Sequence, residues 1–228
     1  MEFGMRLFRR DIVRLAAGSL AAGFVGLPTV VPAAGTATLP DNLRFAIRRK
    51  GSVIGSHQVS FRSTDAGMIA ETAVRMKVKI AFITAFRYSH DAEEYWRGDH
   101  LQLLRSSTDD DGEKFRVDGQ ATAQGIRVSG TEGIAIAPAD ACTTDGLWNR
   151  AIMERQTVID AQDGTVVGLL VKKSARGQFK VGGSLLDATF FDIATPSTTG
   201  RVWYDDSDRW IGASFEIRGE KLDYALEG

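Results

Sequence analysis

Met68-Ile69-Ala70-Glu71-Thr72-Ala73-Val74-Arg75-Met76-Lys77-Val78-Lys79-Ile80 is the stretch whose reading decides the fold. Its even-numbered positions are Met, Ala, Thr, Val, Met, Val and Ile, while Glu71, Arg75, Lys77 and Lys79 stand at odd ones. Successive side chains of a strand leave the pleat on opposite sides, so this alternation predicts a strand with one buried and one wet face. A helix would need apolar residues three and four apart. The even register runs on through Phe82, Thr84, Phe86, Tyr88, His90, Glu94 and Trp96. That length predicts one strongly coiled strand, or two strands meeting at a bend or bulge near residues 81–85.

The flanking sequence continues the pattern. Residues 43–49 and 53–62 read as strands joined through Lys50-Gly51-Ser52, with Val53, Gly55, His57, Val59 and Phe61 on one face, and Ser63-Thr64-Asp65-Ala66-Gly67 makes the next turn. Arg97-Gly98-Asp99-His100 reads as a turn with His100 exposed, and Asp109-Asp110-Asp111-Gly112 as another. The acidic run lacks the ligand ladder and distal Glu of a calcium loop. Further strand-like runs occupy residues 101–107, 114–120, 125–129, 133–137, 156–160, 166–173, 178–181, 185–193, 201–204, 210–218 and 221–226, separated by Gly- and Asp-rich turns. Residues 138–153 break the alternation. There Asp145 is expected to cap a short helix over 146–153, with Trp148 and Ile152 four apart on one side, forming a lid or plug. The predicted fold is all-β: a curled antiparallel sheet or half-barrel with one short helical insert, built as a single domain from residues 38–228.

Ahead of this domain the sequence predicts a cleavable export signal over residues 1–33. Arg6, Arg9, Arg10 and Arg14 precede an uncharged stretch, residues 15–31. Phe8-Arg9-Arg10-Asp11-Ile12-Val13-Arg14 resembles the twin-arginine pattern, with Phe8 in place of the usual Ser or Thr. The small residues near Ala33 and Ala37 place cleavage around residues 33–37. The expected location is the periplasm, with transient contact with the export machinery on the way.

The chain has 28 basic and 29 acidic residues, and four of the basic ones lie in the export segment. A slightly acidic remainder argues against nucleic acid as a partner. Cys142 is the single cysteine, so no internal disulfide forms. It reads as a small, partly buried thiol.

All three histidines fall within residues 57–100. Strand register puts His57 among apolar neighbours, and His90 and Glu94 on the face of Phe86, Tyr88 and Trp96. Three roles are open to this group: hydrogen-bonded structural residues, polar groups at the mouth of an apolar cavity, or a metal or general acid/base site. The candidate ligand-binding residues are His57, Tyr88, His90, Glu94, Trp96 and Trp148. No local motif marks a metal, a cofactor or a catalytic nucleophile: G-x-S-x-G, H-E-x-x-H, C-x-x-C and phosphate-binding glycine loops are all missing. The leading expectation is a periplasmic binding or accessory protein for a lipid or other hydrophobic molecule. The alternatives are a hydrolase- or isomerase-type enzyme using a His/Glu pair, and a non-catalytic envelope structural or assembly partner.

Three stretches carry a resemblance. Arg48-Arg49-Lys50-Gly51-Ser52-Val53-Ile54-Gly55-Ser56-His57, Tyr88-Ser89-His90 with Glu94-Tyr95-Trp96-Arg97-Gly98, and Val202-Trp203-Tyr204-Asp205-Asp206 resemble an exported proteobacterial family of unknown function. That resemblance implies no activity and no catalytic residues. In layout the chain is also similar to the half-barrels of periplasmic lipoprotein carriers, which implies a concavity for acyl chains. Those carriers place several helices over the sheet, where this chain offers one short candidate.

Overall fold

The computed structural model describes residues 39–80 and 83–227; the predicted export segment and Phe82 lie outside them, as do the side chains of residues 79–84. The first half of the chain is a meander of eight strands, β1 (Leu43–Arg49), β2 (Ser52–Thr64), β3 (Gly67–Ile80), β4 (Ile83–Arg97), β5 (His100–Asp110), β6 (Glu113–Thr122), β7 (Gly125–Gly130) and β8 (Gly133–Ala137). An insert follows with three short strands, β9 (Cys142–Thr143), β10 (Thr157–Ile159) and β11 (Val166–Gly168). A second meander completes the domain: β12 (Leu170–Val181), β13 (Ser184–Ala194), β14 (Thr198–Asp205), β15 (Trp210–Ile217) and β16 (Glu220–Leu226).

The two meanders join where β16 pairs antiparallel with β1, placing Ile47 opposite Tyr224. The result is one 13-stranded antiparallel sheet, with β12 and β8 as its edges. It is a curled, unclosed sheet, as the alternation predicts. β3 and β4 reach 14 and 15 residues, about 50 Å if straight, and strands of that length coil with the right-handed twist of the sheet. Pairing between them slips at Val78/Lys79, beside the expected bend. The even register of β4 is borne out: His90, Ala92, Glu94 and Trp96 are all buried, and Asp91 is exposed. His100 is exposed and opens β5.

The predicted face of β2 needs one correction. Ile47 pairs with Gly55 but Arg48 pairs with Val53, so Ile54 is an extra residue in the ladder. This bulge turns Ile54 toward the core and leaves Val53 57% exposed. Val53 therefore does not share the face of His57, because one unpaired residue reverses the alternation beyond it.

The insert also departs from expectation. Residues 146–154 form two 3₁₀ turns, Gly146–Trp148 and Arg150–Glu154, in place of one helix. Asn149 separates them in an extended conformation, and its side chain accepts the Ala151 amide, capping the second turn. Asp145 makes no capping bond. The predicted strand over 166–173 is likewise two elements. β11 pairs with β10 and β12 with β13, and the buried Leu169 between them marks the change of sheet.

The insert packs against both meanders. The Trp148 ring meets Trp96 of β4 edge-on at 5.5 Å and Phe61 of β2 at 5.1 Å. From the other half, the Tyr204 hydroxyl donates to the Leu147 carbonyl at 2.8 Å. The concave face of the curled sheet is thus filled on one side by the insert, which fixes the distance between the two meanders.

Candidate functional site

Where the insert does not fill the concavity, a cavity of about 700 Å³ remains. That volume lies in the range of small-molecule sites. One wall is the alternating inner face of β3 and β4, with Val74, Met76, Val78, Phe86, Tyr88 and His90. The opposite wall is Ile193, Phe215, Leu222 and Tyr224, and the insert closes the space with Leu147, Ile152, Val158 and Leu169. The two arginines at its border are paired. Arg49 Nε donates to Glu220 at 2.9 Å, and Arg218 reaches the buried carboxylate of Asp110 at 2.7 Å.

Inside, polar groups converge on His90, which is 2% exposed. Its Nε2 lies 2.8 Å from Asp145 Oδ2 and its Nδ1 2.8 Å from the Thr108 hydroxyl. Burial pulls the imidazole toward neutrality, but the facing Asp145, with Asp91 and Asp160 farther off, raises it above its ordinary value. Burial pushes Asp145 the other way, and the His90 cation opposite holds it below the usual carboxylate range. Each group favours the charged form of the other, in a pair largely removed from solvent. The Tyr88 ring stacks near His90, and its hydroxyl donates to Gln162 Oε1 at 3.1 Å.

His57 sits differently. It is 5% exposed, with Phe45, Trp210 and Tyr224 packed edge-on or T-shaped around its ring, and its Nε2 has no hydrogen-bond partner. Burial drops its pKa to about 4, against a smaller upward pull from Asp145, so it is neutral at physiological pH. Asp160, also on the lining, is pushed up to about 6 by burial, with Asp163 and Asp145 adding to the shift.

The structure brings His57, Tyr88 and His90 together on the cavity lining, as strand register expects. It sets Glu94, Trp96 and Trp148 behind that lining, in the packed core where the insert meets the sheet. Trp96 Nε1 donates to Glu94 at 2.9 Å and the Thr143 hydroxyl donates to its other oxygen. Burial and the Asp145 charge raise Glu94 to about 7 despite those bonds. The expected His/Glu pair is therefore not made: the carboxylate on His90 is Asp145. Sequence reasoning reads Asp145 as a helix cap and passes over Asp160, because nothing local to the insert says where its carboxylates point. Tyr224 was open to detection, since Leu222, Tyr224 and Leu226 alternate as the inner face of β16. Cys142 is buried, and burial raises its thiol to about 11, so it is an inert core residue.

Fold and site together define a barrel-like antiparallel β protein with an apolar internal cavity and a buried polar cluster on its lining. The chain belongs to the DUF6134 family, a domain of unknown function whose model matches residues 45–227. No curated protein matches it in sequence. Among solved structures it is similar to the crystal structure of a beta-barrel-like protein of domain of unknown function DUF1849 from Brucella abortus. The identity is 11%, the TM-score 0.56, and the alignment covers 81% of this chain and 94% of that one. At that identity the likeness is one of fold alone.

Proposed function

We propose that this protein is a binding protein that holds a hydrophobic molecule, of lipid-like character, in the cavity between its two meanders. The observation that carries this reading is a volume of about 700 Å³ walled mainly by aliphatic and aromatic side chains. Protein interiors otherwise pack to the density of organic crystals, and apolar voids are destabilising in proportion to their size. A domain that keeps such a space across 13 paired strands has a use for it. The polar cluster supports binding more than acid/base chemistry, since both nitrogens of His90 are already engaged within the protein.

The periplasmic address belongs to the same proposal and rests on the arginine-rich start and uncharged run of residues 15–31. Native mass spectrometry of the protein purified from its own envelope tests the binding reading. A bound mass released by organic solvent supports it, and a bare chain that also takes up no hydrophobic probe counts against it. Fractionation of cells expressing the full chain, with the N-terminus of the exported form determined, tests the address. A mature start near residues 34–38 is the expected result.

A further inference from the structure

His57 lines the cavity, yet its Nε2 is buried without a hydrogen-bond partner. Its neighbours Phe45, Trp210 and Tyr224 present aromatic surface, which is a poor substitute for a hydroxyl or carbonyl. A buried ring nitrogen left unpaired is destabilising, and native structures tolerate few such groups away from sites of use. Nε2 itself has almost no exposed surface, so a polar atom delivered by a ligand would satisfy the ring once the imidazole turns toward the cavity that its side chain lines.

The charges around the cavity decide what kind of atom. Asp145 and Asp160 both lie on the lining. Asp145 is balanced by His90, and the Asp160 carboxylate accepts only the Gln162 amide at 2.9 Å. The two guanidiniums at the border are each held by a carboxylate, Arg49 by Glu220 and Arg218 by Asp110. Among the described residues of the lining, every arginine is thus already paired. A carboxylate or phosphate entering this space would lose its water, meet the carboxylates of Asp160 and Asp163 on the lining, and find no unengaged cation. A hydroxyl or carbonyl loses far less hydration, and an imidazole can replace it.

We propose that the cavity takes an uncharged amphiphile, an apolar chain or ring system ending in a hydroxyl or carbonyl, with that end hydrogen-bonded to the His57 imidazole, and that it discriminates against the matching carboxylate. This rests on the binding reading above and narrows it to a ligand class.

Tryptophan fluorescence titrations at pH 8 with 1-dodecanol, dodecanoate and dodecane test it, below the aggregation limit of each. Dodecanol is expected to bind at least tenfold more tightly than dodecanoate. In His57→Leu its advantage over dodecane should fall below threefold, and in His57→Gln, which keeps a hydrogen-bonding group, part of that advantage should survive. Dodecanoate binding as tightly as dodecanol overturns the ligand class while leaving the apolar cavity in use. An unchanged dodecanol advantage in both variants overturns the role of His57. If His57→Leu does not fold, the wild-type ratio and His57→Gln decide. Failure of all three probes to bind, with a bare chain in the native mass spectrum, overturns this inference and the binding reading together.

Discussion

His90 Nε2 and Asp145 Oδ2 lie 2.8 Å apart although 55 residues separate them in the chain. Both side chains are nearly sealed from solvent, at 3% and 11% exposure. The pair fastens the insert to the centre of β4 and so holds one wall of the cavity. Removing one partner of a buried pair strands the other charge, whereas replacing both by apolar groups does not. Asp145→Ala is expected to lower stability by about 3–5 kcal/mol, and His90→Phe combined with Asp145→Leu to recover part of that loss. Urea unfolding at pH 7 reads both.

The same pair makes a signed pH dependence. His90 stands above its ordinary value in the fold, so its contribution is complete below about pH 6.5 and is lost as pH rises through the raised folded value. Asp145 stands below its ordinary value, so its contribution is present above about pH 4 and is lost as pH falls through the lowered folded value. In His90→Gln the alkaline decline should flatten, as seen in thermal midpoints measured from pH 5 to 9.

Glu94 works in the opposite sense. Its folded value, about 7, is above the ordinary carboxylate value, so the folded state binds the extra proton. Stability from this group is highest below about pH 4.5 and falls as pH rises through 7. Glu94→Gln should remove that fall and stabilise the protein at pH 8 relative to wild type, by about 3 kcal/mol, with a much smaller gain at pH 5. Denaturant midpoints at the two pH values provide the comparison.

Met76 is half-buried and lines the cavity opposite Gly55 of β2. Met76→Trp should occupy cavity volume without displacing the packed core. The expected outcome is a thermal midpoint within a few degrees of wild type and at least a tenfold loss of affinity for a hydrophobic fluorescent probe. A retained affinity would mean that the probe binds elsewhere.

Arg218 combines a left-handed backbone, φ 52°, with its ion pair to Asp110 in the turn between β15 and β16. Arg218→Ala and Arg218→Gly lose the pair equally, but only glycine adopts this conformation at no steric cost. The glycine variant should be the more stable of the two by about 1 kcal/mol, read from paired urea curves.

The extent to which sequence anticipates structure differs between the sheet and the insert. In β3 and β4 the period of two is sustained, so the inner face carrying Val74, His90, Glu94 and Trp96 is legible from residue order. A strand's side chains are sorted by parity alone, and parity is a local property. In β2 the bulge at Ile54 reverses parity, and no residue type announces it. In the insert there is no period to read. Asn149 divides the expected helix, and Asp145 turns from the cap position to His90.

What the sequence alone determined was the all-β class, most of the turns, and the inward direction of His57, Tyr88 and His90, although the break expected at residues 174–177 lies inside the continuous β12. Each of these follows from neighbours in the chain. Only the tertiary structure decided that β16 closes onto β1 and that Asp145 rather than Glu94 meets His90. It also decided that Glu94, Trp96 and Trp148 support the cavity from behind while His57, on its lining, keeps one buried nitrogen unpaired. Those relations depend on how far the sheet curls and where the insert lodges against it. Both are set by packing between segments that the chain order keeps apart.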